Sequence, residues 1–97
     1  MQNNFDPLII RGKSLIPVVQ GGMGVGVSAS KLSSAVAREN GVGTIASVDL
    51  RHLHEDLLAE SKIDSSEEKY TRLNCIALDR EIKKAKADSE GKGMIAV

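Results

Sequence analysis

Tryptophan is absent from this sequence, and only Phe5 and Tyr70 are aromatic. Any core must therefore be aliphatic, without the large rings that usually dominate buried surface. A lone cysteine, Cys75, excludes an internal disulfide and suits a reducing, cytoplasmic compartment. An excess of either charge is also missing. Thirteen Lys and Arg balance thirteen Asp and Glu, which argues against nucleic acid or an anionic membrane surface as the main partner. No apolar run approaches the roughly 18 residues that span a bilayer. The start, Met-Gln-Asn-Asn-Phe-Asp, lacks the basic-then-apolar order of a secretory signal.

Glycine, by contrast, is concentrated. The 97 residues, 41% of them hydrophobic, suffice for one small domain. Of its nine glycines, Gly21, Gly22, Gly24 and Gly26 fall within six positions. Ahead of them Pro17-Val18-Val19 reads as a short buried strand, with proline at a permitted first position. After them Ser28-Ala29-Ser30-Lys31-Leu32 opens a helix. A strand that passes through glycine into a helix begins a βα unit. Glycine lets the main chain approach a ligand closely or adopt positive φ, and bare N–H groups at a helix start attract anions. The expectation is a cofactor or phosphate contact at the carboxyl end of a parallel strand.

The rest of the chain fits around this unit. Leu8-Ile9-Ile10 and Leu15-Ile16 flank Arg11-Gly12-Lys13-Ser14, a tight hairpin over 8–16 placed to cap the bottom of a sheet or barrel. Residues 30–40 carry a helical stripe of Leu32, Ala35 and Val36. Ser28 or Ser30 is its cap and Gly41 its C′ glycine. A second strand at 42–47 completes a right-handed βαβ unit over 17–47. Asp49 is placed to cap a further helix with Leu50, Leu53, Leu57 and Leu58 on one side, fading by Ser61.

After a polar break at Ile63-Asp64-Ser65-Ser66, a charged helix runs from Ser66 to about Glu90. Leu73, Ile76, Ala77, Leu78, Ile82 and Ala85 are its expected buried face. Glu68–Arg72 and Asp79–Lys83 form i,i+4 pairs on it, and the run 79–92 reads as solvated surface. Gly91 and Gly93 end this helix before a strand at 93–97. Residues 48–92 are thus a helical insertion in an α/β, parallel-sheet order of hairpin, β, α, β, α, α, β. The chain stops inside the apolar Met94-Ile95-Ala96-Val97, which leads us to expect the first part of a longer protein.

The glycine run has three readings. Gly24-Val25-Gly26-Val27-Ser28-Ala29 fits the G-x-G-x-x-A dinucleotide fingerprint, with Asp49 near the place of the ribose-binding acid. The same run fits the first strand end of a (β/α)8 barrel, whose carboxyl-face loops build the active site. It also fits a turn with only a packing role. His52 and His54 form an H-x-H-E-D cluster, but residues two apart on a helix do not share a face. With no third His or Cys close by, they read as solvated helix residues and no metal site is expected. Cys75, among Leu73, Ile76 and Ala77, reads as a buried structural thiol.

The segments Pro17-Val18-Val19-Gln20-Gly21-Gly22-Met23-Gly24-Val25-Gly26-Val27-Ser28, Leu32 through Ala37, and Asn40-Gly41-Val42-Gly43-Thr44-Ile45 together resemble the N-terminus of the nitronate monooxygenase (2-nitropropane dioxygenase) family. The related FMN-dependent enoyl-acyl-carrier-protein reductases share these elements. The resemblance covers about residues 8–47, and Gly93-Met94-Ile95-Ala96-Val97 resembles the third strand. It implies the N-terminal portion of an FMN-binding (β/α)8 TIM barrel of roughly 300 residues or more, within the usual range of such barrels.

Carried over, Gly22, Met23 and Gly24 lie against the flavin, and Ser47 joins them from the end of the second strand. The family's catalytic histidine comes from a later segment, so no catalytic residue is expected in these 97 positions. The long 48–92 connection departs from the family pattern. The implied activity of the whole enzyme is oxidation of alkyl nitronates, as a small-molecule substrate, with O₂. This piece alone is expected neither to hold FMN tightly nor to turn over. Its open strand edges are expected to drive it to homo-oligomerise or aggregate.

Overall fold

The computed structural model describes residues 6–97; residues 1–5, with Phe5 and most of the segment read for a signal, lie outside them. In chain order the elements are β1 (Leu8–Ile10), β2 (Lys13–Leu15), α1 (Ser30–Arg38), β3 (Val42–Thr44), a 3₁₀ turn (Leu50–Leu53), α2 (Glu55–Ile63), α3 (Glu67–Asp88) and β4 (Met94–Ala96). No helix of the described residues is long and apolar enough to cross a membrane.

β1 and β2 pair antiparallel, Leu8 opposite Leu15. Arg11 and Gly12 both have positive φ, 50° and 74°, the signature of a two-residue type I′ turn. The connection is therefore tighter than the four residues expected. Ile16 N–H donates to Asn40 O at 3.0 Å, Asn40 Nδ2 to Ser14 O, and Lys13 Nζ to Gly91 O. These bonds set the hairpin beneath the amino ends of β3 and β4, the bottom-cap position expected.

β3 and β4 pair in parallel, Val42 with Met94. On the other side of β3, Val19 bridges Val42 in parallel, with Val42 N–H to Val18 O and Gln20 N–H to Val42 O, both 2.9 Å. The strand expected at 17–19 is present as this bridge, but it is not buried: Val18 and Val19 are 49% and 60% exposed. Among the described residues it pairs on one side only, as an edge. Among the described residues the three parallel segments form an open sheet with no closed barrel, in an α/β chain.

α1 ends as a Schellman motif. Asn40, φ +68°, takes the left-handed position expected of Gly41; Asn40 N–H bonds Ala37 O and Gly41 N–H bonds Val36 O. The expected stripe of Leu32, Ala35 and Val36 is only half-buried. The buried face is Ser30, Ser33, Ser34 and Ala37. The reason is close approach to the sheet: a Cβ on Gly43 would overlap the main chain of Ser33, and one on Gly93 the main chain of Ala37. Only small side chains fit there. Two of these serine hydroxyls bond back to carbonyls one turn earlier, Ser33 Oγ to Ala29 O and Ser34 Oγ to Lys31 O.

The helix expected from Asp49 is interrupted. Asp49 is left-handed and caps nothing with its side chain; the 3₁₀ turn stops at His54, and α2 starts anew. Leu50 and Leu57 are buried, Leu58 is half-buried, and Leu53 is 43% exposed. The core gathers Ile45, Leu50, Leu57, Leu73, Ala77 and Ala85, with Leu78, Ile82 and Ile95 against it. Burying each large aliphatic contributes about 1.5–3 kcal/mol.

α3 starts where expected, Ser66 accepting from Lys69 N–H. Its buried positions are Leu73, Ala77, Glu81 and Ala85, one every four residues. Ile76 is 36% exposed and Cys75 is exposed; both lie off this line, contrary to expectation. Asp79 and Lys83 pair at 2.8 Å, while Glu68–Arg72 is not among the ion pairs of the described residues.

Candidate functional site

The glycine loop runs over the carboxyl end of β3. The position where Gly22 lacks a Cβ is 3.6 Å from Thr44 Cγ2 and 3.7 Å from Ala46 Cβ. Gly24 faces Val48 in the same way, at 3.3 Å. Gly26 has φ +75°, the left-handed conformation that favours glycine; a Cβ on it would come 2.8 Å from Leu53 Cδ2, the movable end of a partly exposed side chain. Ser47 stands between Ala46, which meets Gly22, and Val48, which meets Gly24. Gly22 and Gly24 thus lie against the segment that follows β3, and Gly22, Met23, Gly24 and Ser47 are all exposed.

Two residues that sequence reasoning did not single out for this role build the loop. Ser28 is fully buried; its Oγ accepts from Met23 N–H at 2.9 Å and from Gln20 Nε2 at 2.8 Å. Its own N–H donates to Met23 O at 2.8 Å. Gln20 also donates from Nε2 to Gly21 O and accepts at Oε1 from Thr44 N–H. The signal was the pair of polar residues closing each end of a glycine run.

The glycine loop suits a flat aromatic group. Gly21, Gly22 and Gly24 present exposed main chain, fringed by Met23, Val25, Val27 and Val48, each about half exposed. Such a surface offers dispersion contact with N–H and C=O groups at a ring edge. The Met23 N–H is committed to Ser28, so Gly22 and Gly24 are the main-chain candidates.

The remaining sequence candidates lie apart. Asp49 is bound to Arg51 Nη1 at 2.6 Å and lies near Asn74 Nδ2; the hydrogen bond from Arg51 holds its carboxyl below the usual range. Arg51 itself is buried and stacks over the Tyr70 ring at 4.2 Å. His52 is exposed, as expected. His54 is not a solvated residue: its Nε2 is 3.1 Å from Glu81 Oε2. Among the described residues no group of three or more His, Cys, Asp and Glu is placed to hold a metal ion.

Glu81 was expected on a solvated face. It is 6% exposed, and its Oε1 accepts from Ser30 N–H at 3.0 Å. Its place in the register Leu73, Ala77, Glu81, Ala85 is the signal that could have found it. A concavity of about 560 Å³ lies between α1 and the end of α3, lined by Lys31, Arg38, Lys84 and Asp88 among others; no glycine-loop residue lines it. No protein-family model, curated protein or solved structure matches this chain.

Proposed function

We propose that this chain forms the first βα units of an FMN-dependent (β/α)8 oxidoreductase that oxidises alkyl nitronates with O₂. The flavin would rest on Gly22, Met23 and Gly24, beside Ser47. The observation that carries this reading is the place of the glycine loop: exposed main chain at the carboxyl end of parallel strands, where barrel active sites are built. When bound, FMN supplies the redox chemistry. This chain's part is positioning. Ser28 and Gln20 pin the loop, and the glycines keep side chains out of the ring's way. No residue of this segment is assigned to proton transfer.

The strand order 18–20, β3, β4 suits a barrel and half of a Rossmann fold alike. Two contacts favour the flavin reading over a dinucleotide. The Ser30 N–H at the helix start, where a pyrophosphate would sit, is taken by Glu81. The Asp49 carboxylate, which would bind ribose, is taken by Arg51.

The full-length protein that carries this sequence is the material for the test. The expected result is a yellow protein that releases FMN on denaturation and consumes O₂ when a nitronate is added without NAD(P)H. NAD(P)H-dependent reduction of an enoyl thioester would instead support the related reductase activity. A colourless protein that binds NAD, and loses it on Asp49→Ala, would overturn the flavin reading.

A further inference from the structure

The start of α1 has an unusual cap. Its N-cap residue is Ala29, which has no side-chain acceptor, so the first N–H groups of the helix would be orphaned by local sequence alone. The acceptor comes instead from a residue 51 positions away, Glu81 in the middle of α3. The second oxygen of that carboxylate faces His54, at the junction of the 3₁₀ turn and α2. The Glu81–His54 pair is in close contact, at 3.1 Å, but is not aligned as a hydrogen bond.

Both contacts flank the glycine loop. Ser30 lies two residues beyond Ser28, the hub on which the loop closes. His54 follows Leu53, the side chain packed over Gly26. A buried carboxylate is costly unless its oxygens find partners; here Oε1 accepts from Ser30 N–H and Oε2 lies 3.1 Å from His54 Nε2.

We propose that Glu81 is a positioning residue for the glycine loop. It ties α3 to the point where the loop becomes helix and to the junction that closes over Gly26. It thereby holds segment 21–25 in place without touching anything bound there. The inference concerns the loop's order and stands whichever ligand the loop meets.

Amide hydrogen exchange, followed by mass spectrometry on the purified protein, tests it. Glu81→Ala removes both contacts, Glu81→Gln keeps an acceptor for Ser30, and His54→Ala removes one contact at a partly exposed position. Glu81→Ala is expected to speed exchange in segment 21–30 roughly fivefold or more, the size of a lost helix cap. Glu81→Gln is expected to restore most of the protection, and His54→Ala to give a smaller rise confined to the same segment. Exchange in the β1–β2 hairpin should stay unchanged. Should Glu81→Ala fail to fold, Glu81→Gln and His54→Ala decide. Loop exchange unchanged in His54→Ala, or raised equally in hairpin and loop in any variant, overturns the proposal.

Discussion

Gly43 and Ser33 meet main chain to main chain: a Cβ on Gly43 would overlap the carbonyl of Ser33. This contact explains why α1 buries serines and an alanine rather than its leucine and valine. Gly43→Ala should destabilise the fold by about 1–3 kcal/mol or more, as overpacking does. Gly21→Ala, where no atom lies within 4 Å of the added methyl, should stay within about 0.5 kcal/mol. Urea denaturation of the two variants makes the comparison, and equal losses would contradict the close packing.

Leu50 and Leu53 test the break before α2. One continuous helix would bury both; here Leu50 is fully buried and Leu53 is 43% exposed. Leu50→Ala should cost about 2–5 kcal/mol, the range for a core leucine. Leu53→Ala should cost well under half of that. Thermal melts of both variants would show the split.

Arg80 donates Nη1 and Nη2 to the two carboxylate oxygens of Asp56, both at 2.9 Å. These bonds hold the Asp56 carboxyl at about 2, below its ordinary 3.8. A carboxyl lowered by folding stabilises the native state above its ordinary value, and that contribution is lost as pH falls from there through the folded value. The α2–α3 contact should therefore weaken between about pH 4 and pH 2. NMR titration should place Asp56 near the lower value, and Arg80→Ala should return it to the ordinary range.

Cys75 faces solvent. A thiol reagent such as dithionitrobenzoate should label it fully in the native state, at a rate close to that in denaturant. Protection in the native state would return Cys75 to the interior.

Element order, both glycine-rich turns and the parallel sheet were legible because glycine and aliphatic spacing mark them directly. The buried face of α1 was not. Serine reads as polar, and only the glycines opposite, Gly43 and Gly93, show that small side chains were needed. Glu81 and His54 were hidden by the habit of assigning charge to solvent, since neither partner is near the other in sequence. The exposure of Val18 and Val19 depends on which strands lie beside them, and local pattern does not carry that. Gly22, Met23, Gly24 and Ser47 were placed together by the resemblance; the geometry sets Gly22 against Ala46 and Gly24 against Val48, the neighbours of Ser47.

The central claim is that the glycine loop carries a flavin, and the most direct measurement is a structure of the full-length protein grown with FMN. The account predicts an isoalloxazine ring against the main chain of Gly22 and Gly24, with Ser47 at its edge. A ring bound elsewhere, or a pyrophosphate seated at the start of α1 in place of the Glu81 carboxylate, would contradict it.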